Sequence, residues 1–207
     1  MRTLASAPRE AARSARRAAL LAAAEQVFAE RTFSGATMAE IAARAGYSAG
    51  NLYNVFESKA ALYQEILNAR GELFVERLVG ALESGGPVRA TIDRYIDAVL
   101  RFVEDHRDFF IILSQPTGMF EWGTGASAQD VDGIRERIER AIDGLFATGV
   151  ERGELPPAEP LVYSSIVHGA LSAYLSRWIR HGGDPTELWK HLEELREAIH
   201  RALGATS

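Results

Sequence analysis

The sequence predicts an all-α protein, on three observations. Apolar residues recur at spacings of three and four in segment after segment, and no strand-like alternation persists anywhere in the 207 residues. The segments are separated by Gly, Pro and Ser clusters that stop helices. Between Thr37 and Lys59 lie two short segments, each with its own capping residue, joined at a glycine. No internal repeat is visible.

The elements follow in order. A first helix is predicted from about Arg13 to Glu30, with Leu20, Ala24, Val27 and Phe28 as its apolar stripe. Thr37 and Glu40 make an S/T-x-x-E capping box, so a second helix starts after Thr37, with Met38, Ile41, Ala42 and Ala45 on one face. Gly46 stands where that helix must stop in a left-handed backbone. Ser48 caps a third helix, in which Leu52, Val55 and Phe56 share the buried side while Gly50 and Asn54 point the opposite way. Ser58 caps a long fourth helix through Leu62, Ile66, Leu67, Phe74 and Leu78 to about Leu82. Gly85-Gly86-Pro87 breaks the chain before a helix bearing Ile92, Tyr95, Ile96, Val99, Leu100 and Val103. Residues 104–106 interrupt it, and a short apolar helix covers residues 109–113. Residues 116–127 form a Gly-rich loop that carries Met119, Phe120 and Trp122. Helices are then predicted over residues 129–152 and 160–180. Asp184 caps the last, with Pro185 at its first position and Leu188, Leu192, Leu195, Ile199 and Leu203 as its stripe.

Composition narrows the function. A hydrophobic content of 47% over 207 residues suffices for one sizeable core, or for a small domain plus a larger one. The absence of Cys excludes disulfides, a thiolate nucleophile and a Cys-ligated metal, and it fits a reducing cytoplasm. No apolar run approaches the ~18 residues that span a membrane. Residues 1–16 form a basic arm: with Arg17 they carry Arg2, Arg9, Arg13 and Arg16 against Glu10 alone. Transit peptides share that composition, but here the arm runs straight into the first helix. Of 23 Lys/Arg and 28 Asp/Glu, residues 1–59 hold eight and five, a balance of +3, which leaves −8 for the rest of a chain whose net charge is −5. A basic front and an acidic back is the asymmetry of a protein that meets phosphate at one end.

The third helix presents a small, polar outer face. Such a helix suits a major groove, where Asn can bond two edge atoms of adenine. Capped helix, glycine turn and capped helix is the helix-turn-helix pattern. Phe28, Thr37, Ile41-Ala42, Ala45-Gly46, Ser48, Gly50, Leu52-Tyr53, Phe56 and Ser58-Lys59-x-x-Leu62 together resemble the N-terminal domain of TetR-family transcriptional regulators over roughly residues 17–66. The resemblance implies a nine-helix regulator of two domains that acts as a homodimer: a helix-turn-helix domain at residues 17–62 and a C-terminal domain at residues 63–207 for effector binding and dimerisation. Two positions depart from the pattern: Thr32 stands where the family usually has Gly, and Val55 where it usually has Tyr or His.

Candidate sites follow. For DNA they are Thr37, Ser48, Ala49, Gly50, Asn51, Tyr53, Asn54 and Lys59; Tyr53 and Lys59 resemble family positions that hold the phosphate backbone. Thr37 and Ser48 are helix caps that also sit where backbone amides favour an anion. For a small, largely apolar effector they are Tyr95, Phe102, Gln115, Met119, Phe120, Trp122 and His168, the last otherwise a core histidine. For a homodimer they are Leu161, Gly169, Ala173, Leu188, Leu192, Leu195 and Ile199, which belong to two helices with strong apolar faces. Gly123 to Ala128 matches G-x-G-x-x-A but lacks a preceding strand, so it reads as a loop. Glu104, Asp105, His106 and Asp108 cluster at a helix boundary, where capping accounts for them better than a metal. No cofactor and no catalytic arrangement is expected. The reading is a repressor on a near-palindromic operator, released by a ligand. The alternatives are a helix-turn-helix architectural protein without effector, and an all-α enzyme whose N-terminal unit binds a protein.

Overall fold

Caps and apolar spacing become helices much as the sequence predicts. The structure, a computed structural model, describes residues 7–115 and 129–204. Among these, every regular element is a helix: α1 (Ala7–Gly35), α2 (Met38–Arg44), α3 (Ala49–Tyr53), α4 (Lys59–Leu82), α5 (Val88–Asp105), α6 (Arg107–Ser114), α7 (Gln129–Glu151), α8 (Pro160–Arg180), α9 (Pro185–Leu188) and α10 (Leu192–Leu203). Met119, Phe120, Trp122 and the Gly123–Ala128 motif lie outside the described residues.

The described chain divides into two units. Residues 7–69 and 108–115 form the first; residues 70–107 and 129–204 form the second. The boundary thus falls inside α4, and α6 returns to the N-terminal helices.

In the first unit, α1 buries Leu20, Ala24, Val27 and Phe28 against Ile41 and Ala42 of α2, Leu52 of α3 and Leu62 and Ile66 of α4. An aromatic cluster closes this core: the ring of Tyr63 meets Phe28 edge-on at 5.1 Å and Phe33 at 4.9 Å. From α6, Phe109, Phe110 and Ile112 are buried. The Gln115 amide, just beyond α6, donates to the carbonyls of Phe28 and Ala29 at 2.9 and 3.1 Å. α1 runs farther than its apolar stripe requires, starting in the basic arm. It also bends near its end, where Thr32 leaves helical geometry at φ 64°, ψ 168°.

In the second unit, α5 is the central helix by burial: Ile92, Tyr95, Ile96, Val99, Phe102 and Val103 are all buried. Around its core stand Ile142 and Phe146 of α7, Val167, Leu171 and Leu175 of α8, and Ile199 and Leu203 of α10. Ion pairs tie α5 to α10, Arg89 to Glu197 at 2.6 Å and Arg196 to Asp97, and the buried His200 ring is in hydrogen-bond contact with Asp93 at 2.8 Å. The helix expected from Asp184 onward is two helices. The Tyr174 hydroxyl donates to the Leu188 carbonyl at 2.7 Å, the carbonyl to which the Leu192 amide would bond in a continuous helix. That amide bonds the Trp189 carbonyl instead, at 3.2 Å. The Asp184 cap stands as expected, its carboxylate accepting from the Thr186 amide at 2.9 Å.

Candidate nucleic-acid interface

Local capping builds the site. The Thr37 hydroxyl accepts from the Glu40 amide at 3.2 Å while the Glu40 carboxylate accepts from the Thr37 amide at 3.2 Å, which closes the capping box and starts α2. α2 ends as expected: Gly46 takes φ 77°, and the Tyr47 amide reaches back to the Ala42 carbonyl at 2.8 Å. Ser48 then caps α3, its hydroxyl accepting from the Asn51 amide at 3.3 Å.

The burial of Leu52 and Phe56 fixes the rotation of α3. Gly50, Tyr53 and Asn54 are turned outward, Tyr53 with 55% of its surface exposed, while Ala49 and Asn51 are half-buried on the flanks. A Cβ on Gly50 would touch nothing closer than the Ser48 hydroxyl at 4.0 Å, so packing within the chain does not demand glycine there. Its smallness instead keeps the outer face open to close approach.

Three cations tie together the segments around α3. Arg44 of α2 holds Glu30 of α1 through two hydrogen bonds of 2.5 and 2.7 Å, and these hold the Glu30 carboxyl below its ordinary range. Arg17 pairs with Glu65 and lies 4.7 Å over the Phe56 ring. The Lys59 ammonium donates to the carbonyls of Phe33 and Ala36 at 2.6 and 2.8 Å and lies 4.6 Å from the Phe33 ring centre. Lys59 therefore locks the α1–α2 turn, and two of its three N–H groups are committed. No sequence signal marked that role, because the partners are backbone atoms of a distant segment. Thr37 and Ser48 are both exposed caps.

The residues set aside for an effector are not all brought together. Tyr95 and His168 meet inside the second unit, the Tyr95 hydroxyl 3.0 Å from His168 Nε2. Burial pushes the Tyr95 phenol up and holds the His168 imidazole below its ordinary value, against a smaller opposing pull from the Asp143 carboxylate. The sequence does not single out Asp143, whose Oδ1 is buried without a hydrogen-bond partner. A lone acid beside Ile142 on the apolar side of α7 was the available signal. Phe102 is fully buried between Phe74 at 4.9 Å and His106 at 4.4 Å. Gln115 belongs to the first unit, bonded to α1. An open groove of about 430 Å³ lies elsewhere on the second unit, among the charged residues Arg77, Arg94, Asp97, Arg101, Glu104 and Asp105.

The residues set aside for a dimer fall into two sets. Leu188, Leu192 and Ile199 are buried within their own unit and Leu195 is half-buried, whereas Leu161, Gly169 and Ala173 of α8 are exposed. Leu161 and Val162 expose 69% and 50% of their surface. Among the described residues, no group of three or more His, Asp or Glu is placed to hold a metal, and no helix is long and apolar enough to cross a membrane.

Comparison with known proteins bears on these units. Residues 20–66 match the model of bacterial regulatory proteins of the tetR family, and residues 85–200 that of the tetracyclin repressor-like C-terminal domain. Over 198 residues, covering 91% of this chain and 92% of the relative, the chain is 27% identical to the transcriptional repressor BepR of Brucella suis. It is 37% identical over 134 residues to the transcriptional activator FasR of Mycolicibacterium smegmatis, covering 65% of this chain and 58% of that one. Among solved structures, NalD of Pseudomonas aeruginosa, the secondary repressor of a multidrug efflux pump, superposes with a TM-score of 0.67 at 28% identity, covering 92% of this chain and 97% of that one.

Proposed function

Because this chain belongs to the tetR family of bacterial regulatory proteins, we propose that it is a repressor. In this reading a cytoplasmic homodimer holds a near-palindromic operator through α3 and lets go when a small, largely apolar ligand enters the second unit. Family membership makes it a transcriptional regulator rather than an enzyme.

One observation carries the DNA assignment. The outer face of α3 is small and polar and stands exposed at Gly50, Tyr53 and Asn54, while Arg44 and Lys59 tie the neighbouring α1, α2 and α4 together. A preorganised face loses less freedom on binding. Asn51 and Asn54 are assigned to base edges and Tyr53 to phosphate; Ala49 and Gly50 let the groove approach. Thr37, Ser48 and the remaining N–H of Lys59 complete the backbone contacts. Repression is favoured over activation because BepR and NalD, each matched along nearly its whole length, are repressors. The effector reading rests on Tyr95 and Phe102 as apolar walls with His168 as a polar contact. A ligand releases DNA only by binding the released state more tightly, and a coupling of ~1–3 kcal/mol is typical.

The test starts from duplexes recovered by the purified protein from random DNA. Asn54→Ala and Asn51→Ala are expected to cost ~1–3 kcal/mol on the recovered sequence and to relax the preference at single positions. Equal losses on recovered and random duplexes sink the assignment. Transcription in vitro from a promoter overlapping the recovered sequence reads the sign, and an increase on adding protein overturns repression.

A further inference from the structure

We propose that the N-terminal extension of α1 is a second DNA-contacting element, in which Arg9, Arg13 and Arg16 track the phosphate backbone outside the bases read by α3. The proposal rests on the DNA-binding reading above and extends it to residues that precede the family match at 20–66.

Three observations converge. The first is where the helix goes. α1 starts at Ala7, residues 9–16 are all exposed, and its first fully buried residue is Leu20. The helix therefore projects about three turns past the core of its own unit.

The second is which face carries charge. Spacings of four and three put Arg9, Arg13 and Arg16 on one line along the helix. Continued down the helix, the same line becomes Leu20, Ala23, Ala24 and Val27, which are buried. The face that packs on the helix-turn-helix lower down is thus the face that turns to arginine once the helix leaves it. An uncommitted solvated extension has no reason to keep that phase. Where the stripe begins, Arg16 lies 5.7 Å over the ring of Tyr47, which directly precedes the Ser48 cap of α3. The stripe starts beside the N-terminal end of α3 and runs away from it.

The third is the electrostatic balance. Arg9 and Arg13 have no ion-pair partner among the described residues, whereas Arg17, next along, is paired with Glu65. In the first turn Arg9 opposes the positive end of the helix dipole, which Glu10 beside it favours, so the stripe gains nothing from the helix itself. A row of phosphates beside the stripe reverses that balance. From Arg9 to Arg16 the helix rises about 10 Å, the axial length of about three base-pair steps at ~3.4 Å each. Guanidiniums suit this role because their planar fork bonds phosphate in two places.

The test uses the full chain and a duplex recovered by selection, placed in a short fragment that ends at the outer recognised bases and in one with about ten more base pairs on each side. The unmodified protein is expected to bind the longer duplex more tightly. The double variant Arg9→Ala/Arg13→Ala is expected to lose that length preference and to lower the salt slope by about one unit for each phosphate contact removed. Its base preference should stay unchanged, and Arg9→Lys/Arg13→Lys should restore most of the slope. Both positions are exposed and Ala favours helix, so circular dichroism should show the fold retained. If the double Ala variant keeps the wild-type salt slope and length preference while Asn54→Ala still loses its bases, the stripe is overturned and base reading by α3 survives. If the double Ala variant changes base preference, the arm reads bases and the phosphate assignment is overturned. If the unmodified protein recovers no duplex, the DNA reading and the stripe fall together.

Discussion

Thr32 is the most strained residue the structure describes. Its φ of 64° with ψ 168° lies in a region essentially reserved for glycine, and it is the one non-glycine residue with positive φ among the described residues. The strain lets the chain leave α1 and turn into α2, with the Ala36 amide closing back on the Thr32 carbonyl at 3.1 Å. Such a conformation costs a β-branched residue on the order of 1–3 kcal/mol. Thr32→Gly removes that cost but gives back the contact of the Thr32 hydroxyl with Ser34 at 3.1 Å. It also raises the entropy of the unfolded chain. The expected net gain is about 1 kcal/mol in urea unfolding. An unchanged or lower midpoint means that the local bonds outweigh the strain. The sequence marked Thr32 only as a departure from a family that prefers glycine; the reason is the backbone angle. Lys59 is the converse. Its position was legible, but its bonds to Phe33 and Ala36 depend on a turn whose path the sequence does not specify.

Helices announce themselves when their signals are local. The capping box at Thr37, the caps at Ser48 and Asp184 and the stop at Gly46 all rest on bonds within a few residues, so the sequence places them closely. Signals from afar are not legible. At the break between α9 and α10 the Leu188 carbonyl is bonded by the Tyr174 hydroxyl, fourteen residues away. The packing of α7 on α5 is likewise set at a distance, by Gly149. A Cβ there would sit 2.4 Å from Val88 Cγ2 and 3.1 Å from Leu155 Cδ1. Val88 has little freedom to turn aside, because its branched side chain is stiff and buried. In solvent, Ala would favour the helix over Gly. Here Gly149→Ala is expected to destabilise the protein by ~1–3 kcal/mol through overpacking. Gly144→Ala on the same helix meets nothing within 4 Å and is expected to be neutral or stabilising. Thermal unfolding of the pair checks this; equal effects at both positions would mean that α7 shifts freely to relieve the clash.

At the scale of the whole molecule, the question is what covers α8. Leu161, Val162, Gly169 and Ala173 stand exposed on a helix whose other face, at Val167, Leu171 and Leu175, fills the core of its own unit. The sequence showed only that α8 and the last helix are both strongly apolar. It did not separate the face that folds the chain from the face left over, because both use small or aliphatic residues. The structure makes that separation, and it turns the assembly proposal into a contrast between two variants. Ile199 is buried in its own chain, so Ile199→Glu places an unpaired charge in the core and is expected to unfold the protein. Ala173 is exposed, so Ala173→Glu leaves the fold of one chain intact. In the proposed dimer, however, it would set two carboxylates into a close-packed apolar contact with no partner. Ala173→Glu is therefore expected to keep its helicity and urea midpoint at low concentration but to sediment as a monomer at micromolar concentration, where the unmodified chain sediments as a dimer. A dimer offers two α3 helices to half-sites about one DNA turn apart, ~34–36 Å or somewhat more, and a monomer offers one. Operator affinity should then fall steeply for Ala173→Glu, while its binding to a single half-site stays close to that of the unmodified protein. An Ala173→Glu chain that still sediments as a dimer moves the interface off this face of α8. An unmodified chain that is monomeric at micromolar concentration removes the dimer altogether.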